Sequence, residues 1–125
     1  MGLVELSNDS TVDDVVKVLK QDGGVIIRDF ISEDNLALLT NDLTPVFAKT
    51  PPGEDESFLG QKTRRLSRLF SRTKHAAGIA MHPLFFGAAE DLLCGSVPIW
   101  QGSERVDTTP ELRIGAAQAI QIWPG

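Results

Sequence analysis

Residues able to do metal or nucleophilic chemistry are scarce in this sequence of 125 residues: His75 and His82 are the two histidines, and Cys94 is the single cysteine. Seven residues on a continuous helix rise about 10.5 Å, too far for two imidazoles to share one metal, and Pro83 interrupts such a helix. The two histidines therefore build neither a two-His-one-carboxylate site nor a structural zinc site; no residue is assigned as a metal ligand and none as catalytic. His75 is read as solvent-facing and His82 as lying at a helix start. Cys94 lies between Leu92-Leu93 and Gly95, without a neighbouring base or positive field to lower its pKa, and is expected to be a buried apolar side chain. With no partner for an intrachain disulfide, a reducing compartment is expected. Ser67 and Ser71 have no histidine at a recognisable motif spacing. The sequence holds neither a Gly-x-Ser-x-Gly elbow nor a phosphate-binding glycine loop, so hydrolase and nucleotide-binding readings fall away.

The strongest local feature is a basic run, Lys62-Thr-Arg-Arg-Leu-Ser-Arg-Leu-Phe-Ser-Arg-Thr-Lys74, which carries six of the twelve basic residues and no acid. The rest of the chain then holds six basic against seventeen acidic groups. Two readings stand side by side: a solvated face, or a cradle for an anionic substrate. As a helix the run would align Arg65, Arg68 and Arg72; as a strand it would align Arg64, Leu66 and Arg68. A second feature is Gln118, on a strand face otherwise made of Ala116, Ile120 and Ile122. On a buried face an unpaired amide costs about 1–3 kcal/mol, so Gln118 has either a structural partner or a polar cavity to line.

These residues are positioned by a mixed set of elements. Thr11 caps a helix to about Gln21, with Val12, Val15, Val16 and Leu19 on one face and Asp22-Gly23-Gly24 at its end. Val25-Ile26-Ile27 reads as a buried strand. Ser32 caps a second helix carrying Leu36, Leu38, Leu39 and Leu43, with a kink before Pro45. Residues 50–57, with Pro51, Pro52, Gly53 and an acidic cluster, form a mobile loop. His82-Pro83 opens a third helix ending near Gly95, and Val97-Pro98-Ile99-Trp100 makes a short edge strand. Thr108-Thr109-Pro110 is a turn, and Arg113 to Trp123 alternates as a final strand.

Composition bounds the rest. With 42% hydrophobic and 23% charged residues the chain has the make-up of a soluble globular domain. MGLVELSNDS lacks the basic flank and apolar run of a secretory signal, and no stretch approaches the roughly 18 apolar residues that span a bilayer. The chain is expected to start at Met1 and to be cytoplasmic, without a membrane partner. A formal net charge of −5, with Phe70 as the lone aromatic inside the basic run, argues against a nucleic-acid partner.

Four stretches in order then resemble a known family: Asp22-Gly-Gly-Val-Ile-Ile-Arg-Asp-Phe-Ile31, Lys62-Thr-Arg-Arg-Leu-Ser-Arg-Leu69, the His82-Pro83-Leu84 helix start, and Gln118-Ala-Ile-Gln-Ile-Trp-Pro-Gly125. Together they resemble the amino-terminal part of the phytanoyl-CoA dioxygenase family, iron(II)- and 2-oxoglutarate-dependent oxygenases. Val97-Pro-Ile-Trp-Gln-Gly-Ser-Glu104 is similar to members that tailor microbial natural products. The resemblance implies an α+β fold, with amino-terminal helices and the first strands of a double-stranded β-helix (jelly-roll, cupin-like), its barrel incomplete within residues 1–125, which form a single partial domain. It also implies a cavity-facing Gln118 that contacts the co-substrate, and substrate contacts from Phe58, Thr63 and Arg65.

The family's Gln-x-x-His-x-Asp segment, its distal histidine and its 2-oxoglutarate-pairing arginine have no counterpart among these residues. The expectation is thus a truncated oxygenase, whose complete relatives use iron(II), 2-oxoglutarate and a small organic substrate, and which binds neither cofactor alone. The alternative is a non-catalytic anion-binding or subunit-complementing module, whose open sheet edge pairs with a second copy or a complementing chain.

Overall fold

A computed structural model describes residues 2–54 and 60–124. Among the described residues eleven elements follow one another: β1 (Val4–Ser7), α1 (Val12–Asp22), β2 (Val25–Arg28), α2 (Glu33–Ala48), β3 (Thr63–Leu66), α3 (Leu69–Arg72), α4 (Ala76–Ala80), α5 (Pro83–Leu93), β4 (Val97–Gln101), β5 (Glu104–Thr108) and β6 (Ala119–Ile122). They fall into two compact units, Met1–Phe30 with Ala80–Arg113, and Ile31–Ile79 with Ile114–Gly125.

The first unit begins with a βαβ crossover, in which β1 and β2 pair in parallel with Val4 opposite Val25 and Ser7 opposite Arg28. Parallel strands cannot be joined by a tight turn, and α1 is the connection that lets them lie side by side. A reciprocal capping box starts α1: the Asp14 amide donates to Thr11 Oγ1 at 3.2 Å, and the Thr11 amide donates to Asp14 Oδ2 at 3.0 Å. The Thr11 hydroxyl also donates to Asp14 Oδ2 at 2.6 Å, and these hydrogen bonds to Thr11 hold the Asp14 carboxyl below its ordinary pKa. At the other end Gly23 takes φ 74°, a left-handed cap that glycine adopts without Cβ strain. Glu5 on β1 accepts from the Arg28 guanidinium on β2 at 2.6 Å, a bond that pushes the arginine pKa further up.

Val15, Val16, Leu84 and Ala88 form the buried centre of this unit, with Leu6, Val12, Leu19, Val25, Ile27 and Phe30 packed around them. Helix α5 approaches α1 closely because it presents Gly87, where a Cβ would come within 2.8 Å of Val12 Cγ2. His82 caps α5, its Nδ1 accepting from the Leu84 amide at 3.3 Å while its ring lies 4.1 Å from that of Phe30. Strands β4 and β5 form an antiparallel hairpin across Gly102-Ser103, and Gly102 at φ 66° meets the positive φ that a type II′ turn needs at its first central position.

In the second unit, β3 and β6 pair antiparallel, Thr63 opposite Ile122 and Leu66 opposite Ala119. Leu66 is 2% exposed and, with Leu39 of α2 and Ala76, supplies the buried apolar side chains among the described residues of this unit. Ser32 caps α2 by accepting from the Asn35 amide at 3.2 Å.

Several expectations need correction. Helix α2 carries on past Leu43 and through Pro45 to Ala48, although a proline there cannot donate to the carbonyl one turn back. Ile26 is 42% exposed, and Val25 and Ile27 are half-buried, so β2 is a strand covered on one face only. The final strand is Ala119–Ile122 rather than Arg113 to Trp123, because it is regular only where the four-residue β3 faces it. Thr108 ends strand β5 instead of opening a turn. Cys94 is half-buried at the end of α5, with its amide donating to the Glu90 carbonyl at 3.0 Å. The described part of the expected loop, residues 50–54, has no regular structure; its remainder lies outside the described residues.

Candidate functional site

The basic run divides into two conformations. Its first half is strand: Thr63, Arg64, Arg65 and Leu66 form β3, and alternation sends Leu66 and Arg64 to one face and Thr63 and Arg65 to the other. On the Leu66 face, the Arg64 guanidinium lies 4.6 Å from the centre of the Trp123 ring, a cation–π contact across the strand pair. Arg64 Nε is buried with no hydrogen-bond partner among the described residues, leaving the ring as its observed neighbour. The second half turns at Arg68, whose φ of 59° and ψ of 46° are left-handed and cost a non-glycine residue about 1–2 kcal/mol. That turn is held from both sides. Ser71 Oγ donates to the Arg68 carbonyl and Arg72 Nε to the Ser67 carbonyl, each at 2.8 Å.

The opposite face of the same sheet is the candidate site. Register puts Thr63 opposite Ile122 and Arg65 opposite Ile120, so four side chains share one face, and the alternation of the 118–122 segment carries that face on to Gln118. Thr63 and Arg65 are half-buried, whereas Ile120 is 45% and Ile122 72% exposed. Gln118 is exposed as well, which corrects the expectation of a buried face. The amide of Gln118 is therefore open to solvent and needs no buried partner.

Two clefts border this face. Thr63 and Arg65 line one of about 400 Å³ with Thr50, Pro51, Pro52 and Gly53, where the Gly53 amide ties the segment to β3 by donating to the Thr63 carbonyl at 3.2 Å. Gln118 lines another of about 580 Å³, walled by Ser67–Ser71 and Ile114–Gln118. The Leu69 amide donates to the Ala117 carbonyl at 3.2 Å and holds those walls together. The strand pair thus brings Thr63 and Arg65 into one cleft and puts Gln118 on the same face but in a separate cleft. Phe58 lies outside the described residues. The Pro51–Gly53 wall and the Arg68 turn were not singled out as site features from sequence; a left-handed arginine leaves no compositional signal.

The donor set of the described residues does not fit a non-haem iron. Among the described residues no group of three His, Cys, Asp or Glu side chains could hold a metal. His82 Nδ1 is engaged as a helix cap, and half-buried His75 has Asp42 as its acidic neighbour, Nε2 to Oδ2 4.0 Å. No described helix is long and apolar enough to cross a membrane.

No family model matches the sequence. Curated proteins do resemble it. It is 29% identical over 121 residues to the dioxygenase himG of Aspergillus japonicus, covering 95% of this chain and 36% of that protein. The dioxygenase aneA of Aspergillus aculeatus is 40% identical over 119 residues, 89% of this chain and 36% of the relative. The dioxygenase swnH2 of Arthroderma benhamiae is 33% identical over 72 residues, 56% of this chain and 23% of the relative. These relatives support a dioxygenase family for the chain. It spans about a third of the length of himG and aneA and less of swnH2.

Proposed function

We propose that this chain contributes the β3–β6 wall of the reaction cavity in an iron(II)- and 2-oxoglutarate-dependent oxygenase of the phytanoyl-CoA dioxygenase kind, acting on a small organic substrate. In this reading it represents the first strands and helices of a double-stranded β-helix. The observation that carries the reading is the register of β3 on β6, which gives one open face a cation, a hydroxyl and two aliphatic side chains, continued by an amide. Such a face suits a small molecule with a carboxylate at one end and hydrocarbon at the other. The Arg65 guanidinium and Gln118 amide donate to oxygen, and Ile120 and Ile122 cover the apolar part. The names of the relatives support the class of reaction.

Iron and 2-oxoglutarate supply dioxygen activation in such oxygenases. The described residues offer no iron site, so the roles left to this chain are binding and orienting the substrates and excluding water from one side. The test is succinate formation from 2-oxoglutarate with added iron(II). The 125-residue chain alone should give none above a no-protein control. The same chain joined to the part of the A. aculeatus dioxygenase outside the aligned segment should give succinate. Turnover by the chain alone, or none by a folded joined protein, would overturn the reading.

A further inference from the structure

Among the described residues Arg68 is the arginine whose side chain has no partner. Arg28 pairs with Glu5, Arg105 with Asp107 and Arg113 with Glu111. Arg64 stacks on Trp123, Arg72 donates to the Ser67 carbonyl, and Arg65 is engaged as well. Arg68 is exposed and lines the cleft of about 580 Å³ that holds Gln118, and no acidic side chain stands in that lining.

The backbone makes the choice of residue informative. A φ of 59° strains an arginine, whereas glycine takes it without a Cβ clash. The side-chain hydrogen bonds that hold this turn come from Ser71 and Arg72 and end on the main-chain carbonyls of Arg68 and Ser67. Glycine at position 68 would keep both. The Arg68 side chain therefore forms no hydrogen bond within the turn that it strains, and strain of this kind gathers where a side chain serves a ligand.

The remaining lining narrows the ligand. Phe70 is 42% and Ile114 58% exposed, so the walls offer hydrocarbon, and the Gln118 amide adds a neutral donor. A guanidinium beside an amide suits a carboxylate, and the walls suit an apolar body. A phosphate monoester carries about two negative charges and calls for a second cation, yet Arg68 is the one cation in this lining among the described residues.

We propose that Arg68 is a specificity-determining residue that binds the carboxylate of an organic acid in the cleft walled by Ser67–Ser71 and Ile114–Gln118, with the acid's hydrocarbon body against Phe70 and Ile114. The proposal supplies the cation that Gln118 lacks in its own cleft, and it rests on the oxygenase reading for calling that acid a substrate. Its test reads binding and needs neither iron nor turnover, so the two can fail separately.

The probe is phenylacetate, titrated into the isotope-labelled 125-residue chain at constant ionic strength and followed by NMR, with neutral phenylacetamide as the comparison. Saturable shifts of the Leu69, Gly115 and Gln118 signals are expected, with the acid binding at least about fivefold tighter than the amide. Arg68→Gly should abolish that preference without lowering Tm, and Arg68→Gln, which keeps a long side chain, should abolish it too. Absence of saturable shifts at these positions, equal affinity for acid and amide, or a preference that survives either substitution would overturn the proposal. A Tm of Arg68→Gly below that of the wild type would also overturn it, because the arginine would then serve the turn.

Discussion

The two units distribute their apolar and polar side chains differently. In the first, α1, β2 and α5 pack Val15, Val16, Leu84 and Ala88 together and leave an adjoining groove that is apolar throughout. In the second, one sheet face buries Leu66, while the other mixes Thr63 and Arg65 with exposed Ile120 and Ile122. A wholly apolar surface offers area without direction and suits another piece of polypeptide. A mixed surface offers directed donors beside hydrocarbon and suits a small molecule. The contrast separates a face of one chemical character from a face of two.

The largest expected effect falls on the second unit. Leu66→Ala removes a side chain 2% exposed, and a buried leucine cut to alanine typically costs about 2–5 kcal/mol. Unfolding followed through Trp123 in a Trp100→Phe background should show a loss in that range. A loss below about 1 kcal/mol would mean that Leu66 does not anchor the mixed face.

A smaller effect is expected in the first unit. Thr11→Ala removes the α1 cap and should cost about 1 kcal/mol, read by denaturant unfolding through Trp100 in a Trp123→Phe background. It also carries a pH signature. Asp14 has a folded pKa below its ordinary 3.8, so it contributes stability that is present above that value and lost as pH falls through the lowered one. Thr11→Ala should flatten the acid limb of the stability curve below about pH 4, and an unchanged limb would remove the capping box from the account of why α1 forms.

Helices were more legible than strands, for a physical reason. Thr11, Ser32 and His82-Pro83 mark their helix starts with local capping chemistry, and α1, α2 and α5 begin there. Strand β3 is TRRL, a charged segment whose β structure depends on β6 more than fifty residues later, so nothing local distinguished it from a helical turn. Strand β1 depends in the same way on β2. Gly102-Ser103 between two β-prone runs is the local hairpin signal that precedes β5. Thr63 and Arg65 are two apart on β3, so alternation alone puts both on one side of the strand, where they line one cleft. Gln118 was named for a buried face, yet it is exposed, because alternation specifies which residues share a face and not whether anything covers it.

The most direct test of the β3–β6 face as a substrate surface is kcat/KM for 2-oxoglutarate turnover in the joined protein, using substitutions at exposed positions that do not disturb folding. Gln118→Ala and Ile122→Trp should each lower kcat/KM by at least about tenfold, equivalent to about 1.4 kcal/mol of transition-state binding, while Trp100→Phe on the hairpin of the first unit leaves it unchanged. Wild-type kcat/KM in both face variants would contradict the assignment of that face.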